Sequence, residues 1–118
     1  MSNPLPTGPT AHLRPDDALR RLPGAAGERF VALFRHGSLT VELYAPCGRD
    51  PQTPHGRDEL YVIVSGGGTF FDGAERRTVT AGDCLFVAAG RTHRFEDFTH
   101  DLAAWVFFYG PEGGEPAG

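Results

Sequence analysis

Residues 51–66 read PQTPHGRDELYVIVSG, a proline-rich segment with one histidine that runs into an apolar stretch closed by glycine. The stretch 60–64 has the length of a strand and is apolar on both faces, so it predicts a strand that is covered on two sides. Along such a strand, Glu59 shares a face with Tyr61. If that face is the interior of a barrel, an unpaired carboxylate is costly to bury there, and a bound cation beside imidazoles would compensate for the cost.

The chain from residue 29 onward repeats this pattern of short apolar or alternating runs separated by glycine, proline and aspartate. We predict eight strands, at 29–35, 38–45, 58–65, 68–71, 74–80, 84–88, 92–96 and 102–109. No helical pattern separates them, which favours an antiparallel sandwich or a small barrel over a βαβ fold. One short helix is predicted between Pro15 and Pro23, where acidic residues come first and basic residues last.

Local patterns add detail to this arrangement. Residues 39–43 alternate apolar and polar side chains, as expected of a half-buried strand. Asp72-Gly73 predicts a tight hairpin of type I′, which needs positive φ at both central positions. The runs 60–64 and 102–109 are apolar on both faces, so a barrel interior covers one side of each. Their other side must be covered by a partner subunit or by the N-terminal segment folded back.

The chain has 118 residues, with 11 basic and 15 acidic side chains and a formal charge of -4. This length suits one domain, and we expect a barrel domain over 11–110 between flexible tails at 1–10 and 111–118. The acidic balance disfavours nucleic-acid binding through phosphate contacts. The sequence shows no polybasic patch, no apolar run long enough to cross a bilayer and no leader, so we expect a cytoplasmic protein that does not bind membranes.

Two sets of spacings in the sequence resemble the two motifs of the cupins. The matching positions are three in each motif: His55, Glu59 and Gly66 in the first, and Gly82, Gly90 and His93 in the second. The resemblance covers about residues 29–109 and is to small single-domain bacterial cupins of the conserved-barrel family, a group with many uncharacterised members. It implies an all-β double-stranded β-helix, an eight-stranded jelly-roll barrel, here with a short N-terminal helix.

Four positions depart from the family motifs. Thr53 replaces the first histidine, Cys47 the opening glycine, Ala88 the proline and Asp97 the asparagine. Of these, only Thr53 bears on metal binding, because family members usually bind their metal through three histidines and the glutamate.

The resemblance implies that His55, Glu59 and His93 bind a divalent metal ion. Two imidazoles and a carboxylate suit Fe, and equally Zn, Mn, Ni or Co. With Thr53 in place of the fourth ligand, one coordination position is open to a small-molecule substrate. We therefore expect a metal-binding small-molecule cupin, an oxygenase or an isomerase, and the alternative is a non-catalytic sensor or ligand-binding cupin with a vestigial metal site. The fold does not decide whether the protein is an enzyme, since cupins host many functions.

Four more residues are candidates for lining the site: Gln52, Thr53, Tyr61 and Tyr109. Gln52 or Thr53 can supply an oxygen ligand, with a turn-forming or capping role as the alternative. Because strands apolar on both faces need outer cover, we also expect a symmetric homodimer.

Overall fold

The structure is a computed structural model that describes residues 5–6 and 8–116. In chain order its elements are α1 (Pro15–Leu19), β1 (Phe30–His36), β2 (Leu39–Tyr44), β3 (Asp58–Ser65), β4 (Gly67–Phe71), β5 (Arg76–Thr80), β6 (Cys84–Val87), β7 (Arg94–Glu96) and β8 (Ala103–Tyr109). Each predicted strand has its counterpart, and the helix begins at Pro15, where the missing N–H has no helical partner to lose. The predicted all-β fold is confirmed.

The strands form two antiparallel sheets. The larger has five strands in the order β1-β2-β8-β3-β6, and the smaller has three in the order β5-β4-β7. β8 therefore lies at the centre of the larger sheet, paired with β2 and β3. One face of β3 and β8 packs in the main core, and Val64 and Trp105 on the other face pack in a second cluster, which explains why both strands are apolar on both faces.

The hairpin between β4 and β5 is present, but its turn is wider than the predicted type I′ turn. Residues 72–75 connect the paired Phe71 and Arg76, and Gly73 has a φ of 95° whereas Asp72 does not have a positive φ. The Asp72 carboxylate accepts the N–H groups of Ala74 and Glu75 at 2.9 and 2.8 Å. This side-chain cap stabilises the turn without the left-handed backbone at residue 72.

The main core lies between the two sheets and includes Tyr61, Ile63, Phe70 and Phe95. In β2 the polar side chains face this interior: Glu42 is paired with core residue Val106. The apolar face of β2 is instead turned outward. The alternation at 39–43 thus marks a strand with both faces covered, because the outer side is also packed.

The N-terminal segment supplies that outer cover. Ala18 of α1 is fully buried and packs in one cluster with Leu33 and Leu43, joined by Leu13 and Trp105. Of the two covers that the sequence left open, the structure shows the N-terminal segment. The homodimer stays a prediction.

The segment after β8 returns to the loop that precedes β3. Gly113 donates its N–H to the carbonyl of Gly56 at 2.7 Å, and Glu115 donates its N–H to the Asp58 carboxylate at 2.8 Å. Asp58 also accepts the N–H of Ala89 at 2.9 Å, and these donors hold the pKa of Asp58 below its ordinary value. The end of the barrel that carries His55 is therefore joined to the C-terminal segment. The domain boundaries and the two flexible tails stay predictions, and residues 1–4, 7, 117 and 118 lie outside the described residues.

Across residues 5–6 and 8–116, no helix has the length and apolar character needed to cross a membrane.

Candidate metal centre

Three predicted ligands converge at one end of the barrel interior. His55 lies in the loop before β3, Glu59 is the second residue of β3, and His93 directly precedes β7 in the opposite sheet. One ligand atom from each residue lies within 4.8 Å of the other two. Glu59 and His93 are buried, with 1% and 2% of their surface exposed, and His55 is half-buried. Glu59 and His93, which are 34 positions apart in the chain, thus meet because the two sheets face each other.

The carboxylate of Glu59 has no hydrogen bond from any described residue. Its Oε1 lies 2.9 Å from Nε2 of His93, but the alignment is not that of a hydrogen bond, and Oε2 is likewise without a donor. A buried carboxylate without donors is costly. A carboxylate oxygen and an imidazole nitrogen that face each other at this distance can both be ligands of one cation, so the residues fit a divalent metal ion.

The ring of His93 is held in the tautomer that suits coordination. Its Nδ1 lies 2.8 Å from the carbonyl oxygen of Arg91, which can only accept, so Nδ1 carries the proton. This leaves Nε2 to face Glu59, as second-shell carbonyls do for metal-binding histidines. Burial alone would lower the pKa of His93, but the Glu59 carboxylate and the Arg91 carbonyl outweigh it and raise that pKa.

The sequence-predicted lining residues occupy different places. Gln52 Oε1 lies 2.8 Å from Oη of Tyr61 and 3.3 Å from Nε2 of His55, and Tyr61 Oη lies 3.2 Å from Nε2 of His93. Both side chains therefore adjoin the candidate ligands. Thr53 is exposed and lies on the wall of the neighbouring cavity.

Tyr109 lies on the other face of its strand. Along β8, alternation puts Tyr109 on the outer face with Trp105, and among the described residues it does not line the cavity. Phe108 faces the site instead, with its ring edge-on to His55 at 5.0 Å between centroids. A one-residue difference in a strand reverses the face, and the apolar run 102–109 contains no polar residue to mark the inner side.

Asp50 is a buried residue beside the site that the sequence reasoning did not identify. Its carboxylate accepts hydrogen bonds from the hydroxyl of Tyr44, from the N–H and side-chain amide of Gln52, and from the N–H of Phe95. It therefore joins the loop before β3 to β7, next to His93. In the sequence, Asp50 precedes a proline and is typical of a turn, and its partner Phe95 is 45 residues away.

A cavity of about 510 Å³ opens beside His55. Its wall combines apolar side chains, among them Phe30, Val106 and Phe108, with polar side chains that include Glu28, Arg29, Glu42, Gln52 and Thr53. This volume suits a small molecule. Burial, followed by the negative charge of Glu59, raises the pKa of Glu42. The sequence reasoning missed Glu42, since the alternation in β2 did not show which face is inward.

Comparisons with known proteins agree with this architecture. The cupin domain model matches residues 40–109. An uncharacterised protein of Streptomyces coelicolor is 36% identical over 85 residues, covering 70% of this chain and 81% of that protein.

Two solved structures share the fold. KdgF from Halomonas sp. has a TM-score of 0.60 and 16% identity, covering 68% of this chain and 77% of its own. A proposed mannose-6-phosphate isomerase from Ralstonia eutropha has a TM-score of 0.54 and 22% identity, covering 68% and 81%. With both motif segments inside the matched region and the two-sheet barrel around them, the chain belongs to the cupin family.

Proposed function

We propose that this protein binds one divalent metal ion through His55, Glu59 and His93 and uses the ion to hold a small molecule in the adjacent cavity. The observation that supports this most is the Glu59 carboxylate, which is buried, has no hydrogen-bond donor and contacts Nε2 of His93. A cation shared by these groups would remove the cost of burying that charge.

The position of His55 connects the candidate ligands to the cavity. His55 belongs both to the ligand group and to the cavity wall, whereas Glu59 and His93 are buried behind it. A molecule in the cavity would therefore approach the ion from the His55 side. When bound, the ion would supply Lewis-acid or redox chemistry to an oxygen of that molecule.

The chain's own residues define the rest of the reaction environment. Phe108 packs edge-on against His55 and shields one side of its ring from water. Glu42 lies on the cavity wall with a raised pKa, so its carboxyl group can hold or release a proton beside a bound molecule. Such a group serves an isomerase directly, and the two-histidine, one-carboxylate donor set also suits an iron oxygenase. We propose these two reaction classes.

The metal content of the purified protein tests the proposal. Protein prepared without added metal is analysed for Fe, Zn, Mn, Ni and Co, and the chelator-treated protein is then titrated with each ion by calorimetry. We expect one bound equivalent per chain. Iron as the resident ion would favour oxygen chemistry. If no ion binds in either measurement, the metal proposal fails, and the alternative of a non-catalytic ligand-binding cupin takes its place.

A further inference from the structure

The side-chain amide of Gln52 faces the candidate ligands in one defined orientation. Its Nε2 donates to Oδ2 of Asp50 at 2.7 Å, and its Oε1 is directed toward His55 Nε2 at 3.3 Å. We propose that Gln52 Oε1 is a fourth protein ligand of the ion, in place of the histidine that Thr53 replaces, and that Asp50 is the positioning residue that fixes it. This rests on the proposed function, since it assumes that an ion binds there.

The chemistry of Asp50 dictates which end of the amide faces the site. An ionised carboxylate can only accept hydrogen bonds, so the atom of Gln52 that contacts it must be the NH₂ group. Asp50 is itself held by donors from Tyr44 and Phe95, and it is buried, with 9% of its surface exposed. The oxygen of Gln52 therefore points away from Asp50 and toward His55.

The distances agree with shared coordination. Ligand atoms about 2.1 Å from one ion are about 3.0 Å apart at right angles and about 3.4 Å apart in a tetrahedron. Gln52 Oε1 and His55 Nε2 are 3.3 Å apart, which is also a hydrogen bond when His55 Nε2 carries a proton, and Glu59 Oε1 and His93 Nε2 are 2.9 Å apart. Both pairs lie close to this range.

The hydroxyl of Tyr61 offers a competing explanation for the orientation of Gln52. Tyr61 donates to Gln52 Oε1 at 2.8 Å, and this hydrogen bond alone would orient the amide. A carbonyl oxygen has two lone pairs, however, so it can accept from Tyr61 and coordinate an ion together. The two explanations differ in what happens when the Tyr61 hydroxyl is removed.

An amide oxygen also changes which ions the site favours. Replacing one imidazole of the usual family set by a carbonyl oxygen makes the donor set harder, which favours Mn²⁺ and Fe²⁺ relative to softer ions. Thr53→His would bring the softer donor set back.

The composition of the chain makes a direct test practical. Asn3 and Gln52 carry its only two carboxamide side chains, so a ¹⁵N-labelled sample has two side-chain NH₂ signal pairs. The variant Gln52→Met removes one pair and thereby assigns it. Titration of wild-type protein with Zn²⁺ alone should displace the Gln52 pair in a saturable manner that ends at one equivalent.

Affinity provides the second measurement. Gln52→Met keeps the length of the side chain without its amide, and it should weaken Zn²⁺ binding about 10- to 100-fold. Asp50→Asn should weaken binding as well, because an amide at position 50 allows Gln52 to turn its NH₂ group toward the ion. The control Thr78→Val changes an exposed residue of β5 that does not line the cavity, and it should leave the dissociation constant unchanged. If Asp50→Asn does not fold, Gln52→Met still decides.

The outcomes separate this inference from the proposed function. If wild-type protein binds no Zn²⁺, the proposed function fails. If wild type and Gln52→Met bind Zn²⁺ equally, or if bound Zn²⁺ leaves the Gln52 signals in place, only the role of Gln52 fails. In Tyr61→Phe, Zn²⁺ should still displace the Gln52 pair, and loss of that displacement would mean that Gln52 acts only through Tyr61.

Discussion

Oε1 of Glu59 lies 2.9 Å from Nε2 of His93, yet no described residue donates a hydrogen bond to either carboxylate oxygen. In a core whose other polar groups are paired, this arrangement lowers stability, since desolvation of the carboxylate is not compensated. A bound cation compensates for it. The pair therefore links the stability of the barrel to metal binding.

Removing any one of the three ligands should remove most of the metal. We expect His55→Ala, Glu59→Ala and His93→Ala each to lower the bound metal to a small fraction of an equivalent, measured by elemental analysis after dialysis. The controls His36→Ala and His100→Ala alter exposed histidines and should keep the wild-type content. Equal metal content in all five variants would contradict the assignment.

Glu59→Gln should have opposite effects on the stability of the protein with and without metal. In chelator-treated protein above the raised pKa of His93, the neutral isostere removes a buried charge that no described residue hydrogen-bonds, and it should raise the free energy of unfolding by about 1 kcal/mol. With metal in excess, wild type gains stability and the variant does not, so wild type should be the more stable. Urea unfolding under both conditions measures this. A variant less stable than wild type under both conditions would show that the carboxylate stabilises the barrel by itself.

Chelation should leave the protein folded. The main core between the sheets consists of aliphatic and aromatic side chains, whose burial favours folding without the ion. An ion present at 100 times its dissociation constant adds about 2.7 kcal/mol, so its removal should lower the Tm by roughly 10 °C for a domain of this size. Circular dichroism and a thermal scan with and without chelator test this, and unfolding on chelation would instead make the ion structural.

Glu42→Gln should stabilise the barrel at neutral pH and much less in acid. The pKa of Glu42 is raised in the folded protein. The contribution of its carboxyl group to the free energy of unfolding is therefore fully present below the ordinary carboxyl pKa and is lost as the pH rises through the folded pKa. The neutral amide avoids this loss. Thermal scans of chelator-treated wild type and variant at pH 7.5 and pH 4.0 should show a higher Tm for the variant only at pH 7.5. An equal gain at both values would rule out ionisation as the cause.

The predicted homodimer can be tested at the edge strand β6. Phe86 on this strand is 57% exposed, and an edge strand with an exposed aromatic side chain can pair with a second copy. Light scattering at micromolar concentration should then give about twice the 12.7 kDa of one chain, and Phe86→Ser should give the mass of one chain. Wild type at the mass of one chain would contradict the homodimer, and among the described residues the packing of α1 would then account for the outer cover.

Much of the fold follows from local patterns in the sequence. The eight strands and the short helix agree with apolar runs and with turn residues, because strand length and punctuation by glycine and proline are local properties. The sequence did not show which face of β2 points into the barrel. Its alternation is clear, but the tertiary packing, with Ala18 against Leu43, shows that the leucine side is outside.

The site divides in the same way. The resemblance of the motif spacing to the cupins indicated His55, Glu59 and His93 as a group, and the structure brings them together. The sequence reasoning chose Tyr109 as a lining residue, but Phe108 lies against His55 instead. In a run of apolar residues, no polar side chain shows which face of the strand points inward.

The sequence by itself determined the strands and the all-β class, since strand periodicity is a local property, and its resemblance to the cupin motifs indicated the type of barrel and the candidate ligands. Only the tertiary structure decided the surroundings of those ligands. Asp50 meets Phe95 across 45 positions, and that contact orients Gln52 toward His55. Glu42 likewise lies on the cavity wall only because β2 turns its polar face inward. Such contacts depend on which strands become neighbours and on which face they present, and no local pattern contains that information.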